Sequence, residues 1–185
     1  MSVKAVDPRV SFAELSEWPE DGRRYELYDG EVSVVPAPAP RHQRVSINIE
    51  ALLLEYERAT SGLMLHSPLD IVFSDYDVVQ PDVVFFRKDR RHLIDVMQPI
   101  RIPPDLAVEV LSPGTAARDR GRKMQMLARF GVPEYWIADP IAHILEIYAL
   151  AASSYQLAGP YGEHQEVVSP TLAGLSFNAD RIFDE

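Results

Sequence analysis

The sequence has 185 residues, of which 46% are hydrophobic and 25% are charged, a composition typical of a folded domain and not of a disordered or fibrous chain. It contains no cysteine, which excludes a disulfide framework, thiolate catalysis and cysteine-ligated metal sites and favours a reducing compartment. The formal net charge of −10 argues against a general nucleic-acid coat protein, because neutralising phosphates requires lysine and arginine.

The basic residues are concentrated in one stretch. Ten bases and five acids lie between Arg87 and Arg129, whereas eight acids and one base follow from Phe130 onward. This basic stretch is either a solvated face or a surface that contacts an anion. No apolar run approaches the roughly 18 residues of a spanning helix, and no signal-peptide block is present, so we expect a cytoplasmic protein with no membrane contact.

A short helix and a hairpin are predicted near the start. Ser11 with Glu14 three residues later forms a capping box, and the helix should end near Trp18-Pro19. The dipeptide Asp29-Gly30 is typical of a two-residue turn that needs positive φ. The strands of this predicted hairpin are Tyr25 to Tyr28 and Glu31 to Val35.

A long amphipathic helix is predicted to begin near Arg41 and to end at Gly62. Its apolar residues fall at i, i+4, i+7, i+8 and i+11, which is one stripe of a helix. The stripe consists of Val45, Ile49, Leu52, Leu53 and Tyr56. Three predicted strands follow: Leu63 to His66, Leu69 to Phe73 and Asp82 to Phe86.

The second half of the chain also alternates predicted strands and helices. Asp105 to Leu111 is nearly all apolar and predicts a strand covered on both faces. A helix is predicted over Ala116 to Phe130, closed by Gly131. Further strands are expected at Tyr135 to Ala138, His143 to Leu150, Tyr155 to Ala158 and Glu163 to Val168. The order predicts an α/β sandwich with a mixed central sheet, in one domain that spans residues 1–185.

Two acids in apolar strands indicate where chemistry could occur. Glu109 interrupts a buried strand and Asp82 opens another, and an ionised carboxylate removed from water needs a partner. Neighbouring carboxylates repel each other unless a proton, a lysine or a metal lies between them, and oxygen ligands favour magnesium or manganese. Glu109 could instead pair with a buried arginine, and Asp82 could cap a turn after Pro81.

Other polar residues have a structural as well as a functional interpretation. His42 is a metal ligand, a proton carrier or an ordinary surface group. Lys123 stands four residues after Asp119 and could be half of an exposed ion pair. Loops of the nucleotide-binding, dinucleotide-binding, hydrolase-elbow and zinc-protease types are absent from the sequence.

Six segments occur together in the order found in a known family. They are Tyr25-Glu26-Leu27-Tyr28-Asp29-Gly30-Glu31, Pro36-Ala37-Pro38 with Arg41-His42-Gln43, Gln80-Pro81-Asp82, Val108-Glu109-Val110-Leu111-Ser112-Pro113, Asp119 with Lys123, and Gly131-Val132-Pro133-Glu134-Tyr135-Trp136 with Asp139-Pro140. They resemble the bacterial Uma-type proteins, a family of proposed restriction endonucleases in the PD-(D/E)XK nuclease superfamily. The resemblance implies a restriction-endonuclease-like sandwich, with helices flanking a mixed central sheet and a β-hairpin near the N-terminus.

The resemblance also assigns roles to residues. Asp82 and Glu109 would hold Mg²⁺ or Mn²⁺, with the backbone carbonyl of Val110 as a further ligand. Lys123 would be the catalytic cation, and Glu31 would complete the acidic cluster. His42 and Gln43 match a family pair and would be accessory residues without an assigned role.

The sequence departs from the related patterns at two positions. The superfamily places its lysine two residues after the second acid, where this chain has Leu111, and the Uma-type pattern instead places it on the following helix, at Lys123. Family members often carry tyrosine at the position of Leu127.

The leading functional hypothesis is a metal-dependent endonuclease that hydrolyses phosphodiester bonds of DNA. The alternatives are a non-catalytic nucleic-acid-binding or assembly module on a nuclease scaffold, and a phosphodiesterase that acts on a small nucleotide. A homodimer is expected, because nucleases that cut duplex DNA commonly pair their active sites. The candidate phosphate contacts are Arg118, Arg120 and Arg122, which could equally face solvent.

Overall fold

The computed structural model describes residues 9–184 and confirms the expected mixed α/β architecture. The helices are α1 (Phe12–Ser16), α2 (Pro40–Thr60), α3 (Ala116–Arg118), α4 (Met124–Arg129) and α5 (Asp180–Phe183), with a 3₁₀ helix over Lys88–Leu93 and a π-helical turn over Asp119–Lys123. None of the helices in the described part is long and apolar enough to cross a membrane.

Twelve strands are found in the described residues. They are β1 (Arg24–Tyr28), β2 (Glu31–Val35), β3 (Leu63–His66), β4 (Ile71–Ser74), β5 (Asp77–Val79), β6 (Val83–Phe86), β7 (Leu106–Val110), β8 (Glu134–Asp139), β9 (Ile144–Ala151), β10 (Ser154–Tyr161), β11 (Glu166–Val168) and β12 (Ser176–Asn178).

The strands form three sheets. The central sheet has the order β10-β9-β8-β7-β6-β3, and a smaller sheet has the order β2-β1-β5-β4. β11 and β12 pair separately. The central sheet is mixed because β7 and β8 are parallel while its other neighbours are antiparallel. The helical segment from α3 to α4 connects the two parallel strands, which cannot be joined by a tight turn.

The hairpin of β1 and β2 forms where the sequence predicts it. Asp29 and Gly30 have φ values of 52° and 78°, the left-handed conformation at both central positions that matches the twist of the flanking strands. Tyr28 pairs with Glu31 across this turn, so the register is fixed.

Both faces of the central sheet are covered, as expected for its apolar strands. Val83 and Phe85 of β6 pack with α2 and the C-terminal segment, whereas Val84 and Phe86 pack towards α4. β7 alternates in the same way, and Ala107 shares the α4 face. Residues two positions apart along either strand therefore face the same layer.

The structure differs from the prediction in both of the longer helical segments. Helix α2 ends at Thr60 and is capped by Ser61, which adopts φ 63°, rather than being closed by Gly62. The predicted helix over Ala116 to Phe130 is interrupted by the π-helical turn of Asp119–Lys123. This turn carries the lysine of the candidate site.

Candidate active site

The two predicted acids lie side by side, Asp82 directly before β6 and Glu109 in β7. Val83 of β6 pairs with Val108 of β7, so the next step along this antiparallel register brings Asp82 next to Glu109. The Asp82 carboxylate accepts a hydrogen bond from the Val110 amide, with 2.8 Å between Oδ2 and N. Glu109 lies on the α4 face, two positions from Ala107, whereas Asp82 precedes β6 and also contacts His42 of α2.

Lys123 approaches these acids from the π-helical turn. Its Nζ lies 2.7 Å from Oε1 of Glu109 and 2.7 Å from Oε1 of Glu26, and 4.0 Å from Oδ1 of Asp119. The side chain is only 1% exposed. The interpretation of Lys123 as half of an exposed ion pair is therefore wrong, and the partner of Glu109 is a lysine rather than an arginine.

Glu26 is a member of the cluster that the sequence analysis missed. It lies on β1 and is fully buried, and it accepts hydrogen bonds from the Gln80 amide and the Tyr28 hydroxyl, each over 2.9 Å. Arg118 Nε lies 3.5 Å from its Oε2. Glu26 stands between Tyr25 and Leu27 in a strand where polar and apolar residues alternate, so the signal that identified Glu109 is absent.

His42 is buried in the first turn of α2. Its Nε2 lies 3.1 Å from Oδ2 of Asp82, and its buried Nδ1 has no hydrogen-bond partner among the described residues. The interpretation of His42 as an ordinary surface group is therefore wrong. Gln43 is exposed and lines a neighbouring groove, which we call the α2 groove and which His42, Ser46 and His66 also line.

The structure does not bring Glu31 to this cluster. Its carboxylate is 70% exposed and pairs with Arg122 over 3.0 Å, because Glu31 begins β2 beyond the hairpin turn. The hairpin acid that reaches Lys123 is Glu26. The other two candidate phosphate contacts also have acidic partners. Arg120 pairs with Glu146, and Arg118 pairs with Glu26 and Asp119.

Burial and charge act on the cluster in opposite directions. Burial raises the pKa of Glu109 well above its ordinary value, although Lys123 lowers it, and the neighbouring carboxylate of Asp82 raises it further. Burial also opposes ionisation of Glu26, but the charges of Lys123 and Arg118 prevail and lower its pKa. Burial disfavours the Lys123 ammonium, yet Glu109 and Glu26 hold its pKa well above the usual range.

The cluster has more acids than bases. It holds four carboxylates, Glu26, Asp82, Glu109 and Asp119, and two permanent cations, Arg118 and Lys123, so full ionisation leaves two uncompensated negative charges. The two cations contact Glu26, Glu109 and Asp119, whereas Asp82 contacts His42. Both oxygens of the buried Asp119 carboxylate lack a hydrogen-bond partner among the described residues. Burial raises the pKa of Asp119 by more than the neighbouring Lys123 and Arg118 lower it.

A small cavity lies beside the two strand acids. Asp82, Glu109, Val110 and Lys123 line it, and its volume of about 20 Å³ accommodates one water-sized particle. Oδ1 of Asp82 and Oε2 of Glu109 accept no hydrogen bond from any residue in the described range.

These donors suit a hard divalent cation. Residues 9–184 contain no group of three or more His, Asp or Glu side chains that could hold a metal ion. Magnesium does not need such a group, because it is commonly held by one or two carboxylates together with water and substrate phosphate. Two carboxylates with one free oxygen each, beside a cavity of this size, fit Mg²⁺ or Mn²⁺. An ion of charge +2 would also balance the cluster.

The mixed α/β fold of this protein matches that of a solved structure. A solved structure from Anabaena variabilis, titled as a "putative nuclease belonging to DUF820", matches with a TM-score of 0.77 at 19% sequence identity, over 94% of this chain and 97% of that chain. At this identity the match shows the fold.

The family model identifies the chain more closely. Residues 12–180 match the Uma2 family, described as "putative restriction endonuclease", and the chain belongs to this family. An uncharacterised Synechocystis protein, slr1290, is 28% identical over 187 residues, which cover 98% of this chain and 95% of that protein. The predicted resemblance is thereby confirmed.

Proposed function

We propose that this protein is a metal-dependent endonuclease that hydrolyses phosphodiester bonds of DNA. The observation that carries the proposal is the position of the Lys123 ammonium, 2.7 Å from Glu109, beside a cavity that Asp82 also lines. Membership of a family described as restriction endonucleases supports the same reaction class.

In this proposal Asp82 and Glu109 hold Mg²⁺ or Mn²⁺, with the Val110 carbonyl as a further ligand. The bound ion would stabilise charge on the phosphoryl oxygens and lower the pKa of a coordinated water. The Val110 amide donates a hydrogen bond to one oxygen of Asp82, which His42 Nε2 also contacts, so the other oxygen is left for the ion.

Lys123 stabilises the negative charge that builds up as the phosphodiester is attacked. An ammonium has three hydrogens, and the two short contacts to Glu26 and Glu109 use two of them. The third is available to a phosphoryl oxygen or to the attacking water. The two carboxylates thus fix the direction in which the lysine donates.

The test is cleavage of supercoiled plasmid DNA with Mg²⁺ or Mn²⁺ by the wild type and Asp82→Asn. Removing one ligand charge should lower the rate by about 10²-fold or more. The matched control is Asp105→Asn, because Asp105 is 1% exposed, precedes the opposite end of the same strand pair and binds Arg87 and Arg90.

We expect Asp105→Asn to cleave plasmid DNA at the wild-type rate, provided that a cooperative melting transition shows the variant to be folded. Equal trace cleavage by the wild type and Asp82→Asn would assign the activity to a contaminating nuclease and refute the proposal. DNA binding without turnover by the wild type would instead favour a non-catalytic nucleic-acid-binding module.

A further inference from the structure

The α2 groove adjoins the candidate active site. It has a volume of about 320 Å³ and shares Arg24, Pro38, His42 and Asp82 with the small cavity. This volume lies at the lower end of the range of small-molecule sites. A ligand group in the groove would therefore contact the same Asp82 that borders the proposed metal position.

The lining of the groove suits a nucleotide base. Ile47, which is 52% exposed, and His66 offer an apolar and an aromatic surface, while Gln43 and Ser46 offer donors and acceptors. Unpaired bases are recognised by this combination, in which a face stacks on a flat side chain and an edge forms hydrogen bonds.

Arg24 provides a cation between the groove and the cavity. It donates to Ser67 Oγ over 2.6 Å and to the Pro36 carbonyl over 3.4 Å, and both acceptors are neutral. Within residues 9–184 it forms no ion pair, in contrast to the acid-paired Arg118, Arg120 and Arg122. An arginine that keeps its charge uncompensated at this position can bind a phosphate.

The depth of the site limits which phosphates can reach it. The side chains of Asp82 and Glu109 are only 11% and 6% exposed. A nucleotide in an intact duplex is held by stacking and pairing, so extruding it costs free energy. A nucleotide in an unpaired strand reaches the site at a smaller cost.

We propose that the α2 groove binds one unpaired nucleotide next to the scissile phosphate, so that the enzyme cuts single-stranded DNA and unpaired flaps in preference to duplex DNA. This inference rests on the proposed function. Arg24 contacts the adjacent phosphate, and Ile47 and His66 stack on the base.

The experiment compares a labelled 30-nucleotide single strand, the same sequence as a blunt duplex, and a duplex with an unpaired flap, each with Mn²⁺. We expect the single strand and the flap to be cut at least about 10-fold faster than the duplex, with cuts confined to the unpaired part. Fluorescence anisotropy in EDTA measures affinity for the same DNAs without cleavage.

Two variants and a matched control test the groove itself. Ile47→Ala and His66→Ala should each weaken single-strand binding and raise KM by about 10-fold, with little change in kcat, because they remove stacking surface. Leu157→Ala is the control, since Leu157 is 51% exposed and lies on β10. It should bind like the wild type.

The outcomes separate this inference from the proposed function. Asp82-dependent cleavage that is equally fast on duplex and single strand would overturn the inference and leave the proposed function intact. Unaltered single-strand affinity in both groove variants would also overturn it. Absence of Asp82-dependent cleavage of every DNA would overturn the proposed function and the inference together.

Discussion

The position of Lys123 depends on Glu26 as much as on Glu109. The two carboxylates lie at equal distances of 2.7 Å from the ammonium, one on β1 and one on β7. Glu26 is itself held by Gln80 N and the Tyr28 hydroxyl. We therefore consider Glu26 a positioning residue, which acts on the reaction through the lysine.

Replacement of Glu26 by Gln should lower kcat by about 10²-fold, because misplacement of a catalytic group by about 1 Å has an effect of this size. KM for DNA should stay near the wild-type value, since Glu26 is fully buried and does not line the α2 groove. Single-turnover cleavage at several DNA concentrations separates the two constants.

Glu134→Gln is the control for the loss of a buried carboxylate. Glu134 is also fully buried, but it binds Trp136 Nε1, Ser169 Oγ and Thr171 N at another place in the fold. Its replacement should lower the free energy of unfolding by about 1–3 kcal/mol and leave kcat unchanged. A wild-type kcat in Glu26→Gln would show that Glu109 alone positions the lysine.

The sequence could predict part of this site for a physical reason. Asp82 and Glu109 adjoin or interrupt runs of apolar residues, so they stand out as costly groups that need partners. Glu26 lies in a strand that alternates polar and apolar residues, a pattern typical of a half-exposed strand, although both Glu26 and Leu27 are fully buried. Only the packing of β1 against the α4 layer reveals this.

Elements of secondary structure were predictable where a period extends over several residues. β3 was predicted with its observed bounds of Leu63–His66, and α2 followed from its stripe. The three-residue strands β5 and β12 and the four-residue helix α5 were missed, because so few residues do not establish a period. The π-helical turn has no local sequence signal that we can name.

The junction of α2 and β3 requires glycine for space rather than for its backbone angle. A Cβ on Gly62 would lie 2.4 Å from Phe85 Cζ and 2.8 Å from the Phe86 carbonyl oxygen. We expect Gly62→Ala to lower the free energy of unfolding by about 1–3 kcal/mol, as measured by urea denaturation, because the core is overpacked.

Gly121→Ala provides the comparison. A Cβ at Gly121 meets no atom within 4 Å and its φ is not positive, so alanine should be neutral or should stabilise by about 0.4–1 kcal/mol. Equal losses of stability at the two positions would mean that close packing at Gly62 is not the cause.

The start of α5 is linked to the β10–β11 connection by an ion pair that responds to pH. His164 Nδ1 lies 2.8 Å from Asp180 Oδ2, and this hydrogen bond raises the pKa of His164 above 6.5. The folded state therefore holds the proton more tightly than the unfolded state, so this contribution to stability is complete below pH 6.5. It is lost as the pH rises through the folded-state pKa.

An NMR titration of the His164 ring tests this linkage. Asp180→Asn should return the pKa of His164 towards its ordinary value of 6.5. The free energy of unfolding should then depend less on pH above pH 6.5. An unchanged pKa in the variant would show that Asp180 is not its cause.

At the scale of the whole molecule, the basic stretch between Arg87 and Arg129 offers less free positive charge than its sequence suggests. The basic stretch does not form a continuous free surface, because several of its arginines pair with acids of the same chain, including Arg90 with Asp105 and Arg120 with Glu146. Net charge is −10, so the long-range interaction of the whole molecule with DNA is repulsive and contacts near the site must supply the binding.

The expected homodimer stays a prediction. Trp136 and Phe177, two aromatic residues of the C-terminal half, are buried in the core with ring centroids 5.6 Å apart and so offer no surface for a dimer contact. Sedimentation at the monomer mass across micromolar concentrations would contradict the dimer.

Local charge at the α2 groove should govern DNA binding more than total charge does. Glu50 lines this groove, whereas Glu55 lies further along α2 and pairs with Arg181 over 2.8 Å. Glu50→Lys and Glu55→Lys change the net charge by the same amount, yet we expect KM for single-stranded DNA to fall by about 10-fold only in Glu50→Lys, because one more cation then faces the bound strand.

The effect should be larger at 50 mM than at 200 mM salt, since screening weakens contacts between a solvent-exposed lysine and phosphate. KM measured at both salt concentrations for the two variants distinguishes an effect of charge at the groove from an effect of total charge. If both substitutions lowered KM equally at each salt concentration, total charge rather than the groove would attract the DNA, and the path of the strand along α2 would have to be placed elsewhere on the molecule.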